Sequence, residues 1–158
     1  MRFTLVDRIV ALAPGESITA VKNVSSAEEY LADHFPGFAV LPGVMMVETL
    51  VQAGAWLIRA TDDFQHSVVL LKQARAVKFN NFVRPGQALK VTLTIHSRGD
   101  GETTFKAQGE VDGQSAVSAR LTLAHFNLAD RNPELANSDA GRIELQHRQF
   151  AEIWQFER

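Results

Sequence analysis

The chain has 158 residues, 46% hydrophobic and 22% charged, the balance of one globular domain able to bury a sizeable core. A formal net charge of −2 gives no electrostatic reason to seek nucleic acid or an anionic membrane as partner. The absence of cysteine excludes disulfides, thiolate catalysis and thiolate-held metals. No apolar run approaches the roughly 18 residues of a membrane span, and Arg2–Asp7 lacks the apolar heart of an export signal, so a cytoplasmic protein is expected.

Phe3–Leu12 and Ser17–Val24 read as strands that meet around Ala13-Pro14-Gly15-Glu16, a hairpin break. Ser25-Ser26-Ala27-Glu28-Glu29 offers a hydroxyl cap and early carboxylates for a short helix ending near Ala32, which delivers Asp33-His34 into a loop. Two Pro-Gly breaks follow. From Val44 to Ala60 the apolar residues cover most of a helix's circumference, and a helix apolar all round is buried all round. Pro42 and Gly43 stand where it begins. Gly54 costs about 1 kcal/mol relative to Ala in mid-helix, so close packing against another backbone is expected there.

Ser67–Val83 reads as a long strand with Val69, Leu71, Val77 and Phe79 on one parity. Turns at Arg84-Pro85-Gly86-Gln87, Arg98-Gly99-Asp100-Gly101 and Asp112-Gly113 separate three further strands: Leu89–Ile95, Thr103–Val111 and Ala116–Phe126. The expected class is α+β, an antiparallel sheet wrapped around one long central helix. Asn127–Gly141 is poor in apolar residues and reads as a linker. In Arg142–Arg158 the residues Ile143, Phe150, Ile153 and Trp154 form an amphipathic stripe. That helix packs on its own domain, docks on a second subunit or stays disordered. The chain therefore divides into a domain of residues 1–126 and an extension of residues 127–158.

The chemistry gathers around two titratable groups. His34 lies in a bent loop able to aim its ring into a cavity, and its ordinary pKa lets it accept a proton near neutrality. Glu48 projects from the apolar helix, where desolvation is expected to favour a protonated carboxyl able to donate to a leaving hydroxyl. Gln52, four residues on, shares its helical face and is placed to orient it. The first helix amides, at Gly43 and Val44, are free donors positioned to hold a thioester carbonyl. His66, His96, His125 and His147 have no metal-ligand spacing, so no metal is expected.

His34-Phe35-Pro36-Gly37, then Leu41-Pro42-Gly43-Val44, then Glu48 with Gln52, resembles the bacterial (3R)-hydroxyacyl-[acyl-carrier-protein] dehydratases, FabZ-like members of the hotdog-fold thioester dehydratase family. Leu5-Val6-Asp7-Arg8, Pro14-Gly15, Lys22-Asn23-Val24, Lys78-Phe79 and Pro85-Gly86 extend the likeness over about residues 3–126. The resemblance implies a hotdog fold and a homodimer with shared active sites, and it admits a trimer of dimers. It implies that His34 of one subunit removes the α-proton while Glu48 of the other protonates the departing 3-hydroxyl, leaving a trans-2-enoyl thioester. Gly43, Val44, Gln52 and Phe79 would contact the substrate, which arrives on the phosphopantetheine of acyl carrier protein, without metal or redox cofactor. Phe38-Ala39 stands where the family often has Arg-Pro, and Asn80-Asn81 where it has basic residues, leaving Lys72, Arg75, Lys78 and Arg84 to dock the carrier. Competing readings are an acyl thioesterase using Glu48 to activate water, and a non-catalytic acyl-binding partner of another hotdog subunit.

Overall fold

The computed structural model describes residues 3–155. A hairpin of β1 (Arg8–Ala13) and β2 (Ser17–Asn23) opens the sheet. The residues before it, expected to belong to the first strand, run outside the sheet. Leu5 is buried there, and its amide donates to Gln52 Oε1 at 2.9 Å. Only one helical turn, α1 (Tyr30–Asp33), forms after β2. The expected cap residues are engaged in a local turn instead: Glu28 Oε2 accepts from the Ser25 amide at 2.8 Å, and Ser25 Oγ from the Ala27 amide at 3.2 Å.

Lys22, buried under that turn, donates to Glu28 Oε1 at 2.6 Å, and the Tyr30 hydroxyl donates to the same oxygen at 2.8 Å. Burial alone would raise the Glu28 carboxyl, but Lys22, the Ser25 amide and Tyr30 together hold it below its ordinary value. The same carboxylate, added to burial, pushes the Tyr30 phenol up. This network fixes the chain just ahead of His34.

Helix α2 (Gly43–Thr61) is the core of the molecule, with Leu50, Ala53, Leu57 and Ile58 fully buried. Around it curl β3 (Val68–Phe79), β4 (Ala88–Gly99), β5 (Glu102–Val111) and β6 (Gln114–Phe126) with the opening hairpin, in the order β1-β2-β4-β5-β6-β3, every neighbouring pair antiparallel. A Cβ at Gly54 would stand 3.1 Å from both Leu93 Cδ2 and Leu123 Cδ1, so the glycine lets the helix settle directly on the sheet.

Strand β3 crosses to the far edge and pairs only with β6. Its expected alternation breaks at two register shifts, Leu71/Gln73 and Arg75/Lys78, and Ala76 adopts φ +50 within the second. Leu70, Leu71, Val77 and Phe79 all remain exposed along this edge.

The tail is not the linker its composition suggested. Two 3-10 turns, Leu128–Asp130 and Pro133–Leu135, lead into α3 (Ala136–Ile153), which begins at Ala136 rather than Arg142. Buried Asp139 fastens it, accepting from Ser67 Oγ and from the Leu128 and Ala129 amides at 2.9 and 2.8 Å. A side chain that satisfies three donors orders a polar segment that hydrophobicity alone would leave loose. Phe150 then packs 5.9 Å from the Trp56 ring and 5.3 Å from Phe64, and His147 stacks on Phe64 at 4.0 Å. Residues 156–158 of the expected terminal helix, and the first two residues of the amino-terminal domain, lie outside the described residues.

Candidate active site

Phe35-Pro36-Gly37-Phe38 is a tight turn: the Phe38 amide donates to the Phe35 carbonyl at 2.9 Å, with Gly37 at φ +77 supplying the left-handed position behind Pro36. The loop closes again where the Val40 amide donates to His34 O at 3.1 Å and His34 Nδ1 meets Val40 O at 3.1 Å. A carbonyl only accepts, so Nδ1 is the donor in this contact, which fixes the half-buried ring against the loop. Phe38 is flanked by Phe82, 5.3 Å away edge to face, and by the Arg84 guanidinium, 5.0 Å over its ring.

Leu41 ties this loop to the segment after β3, its amide donating to Val83 O at 2.8 Å, and α2 starts immediately afterwards with Pro42 as N-cap. The Met45 and Met46 amides both return to Pro42 O, so the Gly43 and Val44 amides precede the first intrahelical bond. Phe79, arriving from the end of β3, brings the tip of its ring against this helix start. A Cβ at Gly43 would be 2.9 Å from Phe79 Cζ, so any larger residue there must displace the ring or the helix start.

Glu48 is half-buried, less enclosed than the sequence suggested, because the sheet wraps one side of α2 and leaves its first turns open; Val44 is 75% exposed. Its Oε1 accepts from Gln52 Nε2 at 3.0 Å. Gln52 is itself anchored at both ends of its amide, donating to Phe3 O at 3.0 Å and accepting from the Leu5 amide. The stretch before β1 therefore sets the rotamer of Gln52, and Gln52 that of Glu48. Both line a cleft of about 850 Å³ between α2 and α3, whose α2 wall includes Val51, Ala55 and Trp56.

His34 is not among the residues that line that cleft. Of the expected docking cations, Lys72 is paired with Glu102, Arg75 and Lys78 are exposed on β3, and Arg84 lies over Phe38. The fold also assembles a group invisible to linear spacing: Asp62 at the end of α2, His66 behind it, and His125 at the end of β6. Arg98 Nη2 donates to Asp62 Oδ2 at 2.7 Å and His66 Nε2 lies 3.6 Å from the same oxygen, while the Thr103 hydroxyl meets His125 Nε2 at 3.2 Å. With the guanidinium already on the carboxylate, the group acts as a charge-balanced terminus for the helix.

An antiparallel sheet curled around one helix, whose first amides and a carboxylate face open space, defines a hotdog fold. Solved structures share it: the dehydratase heterocomplex ApeI:P from Xenorhabdus doucetiae (TM-score 0.68, 17% identity, 84% of this chain and 90% of that one), and smu.793 from Streptococcus mutans bound to acetyl CoA (TM-score 0.62, 14% identity, 80% and 93%). Residues 1–120 match the FabA-like domain family, and the chain belongs to it. Relatives include the 3-hydroxyacyl-[acyl-carrier-protein] dehydratase FabZ of Lactobacillus helveticus (39% identical over 117 residues, 74% of this chain and 79% of the relative) and that of a Janthinobacterium species (40% over 134 residues, 82% and 85%).

Proposed function

We propose that the protein dehydrates (3R)-3-hydroxyacyl thioesters delivered by acyl carrier protein, giving trans-2-enoyl thioesters for fatty-acid synthesis. His34 Nε2 takes the α-proton, the double bond forms as the 3-hydroxyl departs, and Glu48 supplies the proton that makes the leaving group water. The elimination is redox-neutral and needs no electron carrier. The Gly43 and Val44 amides stabilise charge that develops on the thioester oxygen as the α-carbon loses its proton.

The observation that supports this reading is that Glu48, held by Gln52, lines the cleft beside α2 while His34 is not part of that lining. In this reading a second copy brings its own His34 to Glu48 and completes the site. The free edge of β3 favours a two-fold dimer in which the sheets join, since a long, exposed, apolar edge is a template for pairing. Such pairing covers Lys72, Arg75 and Lys78 at least in part, leaving Arg84, beside the His34 loop, as the favoured carrier contact.

Hydration of crotonyl thioester tests the assignment. His34→Ala and Glu48→Gln should each lower kcat by about 10²–10⁴-fold with folding intact. Mixing the two inactive variants should restore activity through hybrid dimers that hold one complete site. Near-parental rates in either variant, or no recovery on mixing, would refute the shared-site reading; release of free thiol would point to a thioesterase instead.

A further inference from the structure

The family match ends at residue 120, and α3 lies wholly beyond it. Yet α3 supplies one wall of the cleft into which Glu48 opens, through Ser138, Arg142, Gln146 and Gln149 among others. Both walls are mixed: α3 adds Leu145 and Ile153 to these polar groups, and α2 sets Val51, Ala55 and Trp56 beside Glu48, Gln52 and Arg59. Along α2 the stripe runs Glu48, Gln52, Ala55, Arg59 in steps of three or four residues, so all four share one face. Arg59 is three turns from Glu48, about 16 Å along the axis.

Arg59 is unusual for a half-buried cation in a cleft wall. Its guanidinium lies 4.8 Å over the Trp56 ring, and its Nε is buried with no hydrogen-bond partner. Among the described residues no carboxylate pairs with it; Glu152, the acid that α3 contributes to the cleft, is exposed and beyond ion-pair distance. Burial pulls the group down to about 10, so it is still charged at neutral pH. A positive charge partly withdrawn from water and left without an anion is disfavoured, and a ligand that brings one relieves the cost.

We infer that α3 and Arg59 make the far part of this cleft a subsite for acyl chains ending in a hydrogen-bond-accepting anion, a carboxylate above all. The inference rests on the dehydratase reading only for which end of the chain enters first: the thioester lies at Glu48 and the tail points at Arg59. At about 1.2 Å per bond in an extended chain, roughly fourteen bonds bridge that distance. A methyl-ended chain of equal length would cover the guanidinium further and leave it unpaired.

Calorimetry on the full-length protein with saturated acyl-CoA thioesters, which have no hydroxyl or double bond to react, tests this directly. Matched pairs of medium to long chains, one methyl-ended and one carboxylate-ended, should differ by about tenfold or more in Kd in favour of the carboxylate. Arg59→Leu should abolish the difference and Arg59→Lys should retain part of it. Equal or reversed affinities in the parental protein overturn the inference, as does a preference that survives Arg59→Leu. Crotonyl thioester hydration by the parental protein is read separately, because it fails only if the dehydratase reading fails. The binding comparison decides the subsite either way.

Discussion

The two ends of α2 use the same backbone for opposite purposes. At its start the Gly43 and Val44 amides are left without intrahelical partners, Val44 is exposed, and Glu48 is held by Gln52 toward open space. At its end the Asp62 carboxylate is matched by Arg98 and approached by His66, and the last turn is covered by Phe150 and Phe64. Open backbone donors at one terminus and an ion-paired carboxylate at the other set the two ends apart, although Arg59 Nε and the Nδ1 atoms of His66 and His125 near the closed end also lack partners.

Perturbing the open end should produce the largest effect. Gly43→Ala sets a methyl 2.9 Å from Phe79 Cζ, so either the ring or the helix start must shift. A displacement of that size should lower kcat/KM by about a hundredfold while barely moving the melting temperature. Gly43→Ala combined with Phe79→Leu should recover part of the rate. If the single variant keeps full activity, the helix start does not bind the reacting group.

The closed end should respond in stability alone. Arg98→Met leaves Asp62, whose side chain is 11% exposed, with His66 as its remaining ionic neighbour. A loss of about 1–3 kcal/mol by urea denaturation is expected, with kcat and KM near parental values. A large kinetic effect would mean that the two ends are coupled and the contrast false.

The mildest perturbation is pH. Burial lowers the His125 imidazole, the neighbouring His66 and Arg98 lower it further, and Asp62 acts against them. Because the native pKa lies below the ordinary 6.5, the unfolded chain takes up the proton first. The associated stability is present above pH 6.5 and is lost as pH falls through the lowered native value. Melting temperatures should therefore decline in mild acid, and His125→Gln should flatten that decline. An unchanged slope would place the acid sensitivity elsewhere.

Much of the central architecture was legible in the sequence because local chemistry and tertiary structure agree there. Pro-Gly breaks mark real turns, the apolar run from Val44 is the buried helix, and Gly54 does meet the sheet closely, though through the side chains of Leu93 and Leu123 rather than another backbone. The i, i+4 spacing placed Gln52 against Glu48. What the sequence hid are contacts between distant residues. The anchoring of Gln52 by Phe3 and Leu5 has no local signature. Nor does the meeting of Asp62, His66 and His125, drawn from two elements. Asn127–Gly141 looked unstructured since its order comes from one buried carboxylate reaching Ser67, not from apolar periodicity. The bulges of β3 likewise defeat a parity pattern that looked regular in the sequence.

The unpaired edge of β3 bears on handling as well as on assembly. If each reaction centre is completed across that edge, specific activity is a function of protein concentration: dilution below the dissociation constant of the dimer should silence the enzyme reversibly, without unfolding it. Turnover numbers gathered at very low enzyme would then understate the intact particle, and a lag on concentrating the sample would report how fast two edges find each other.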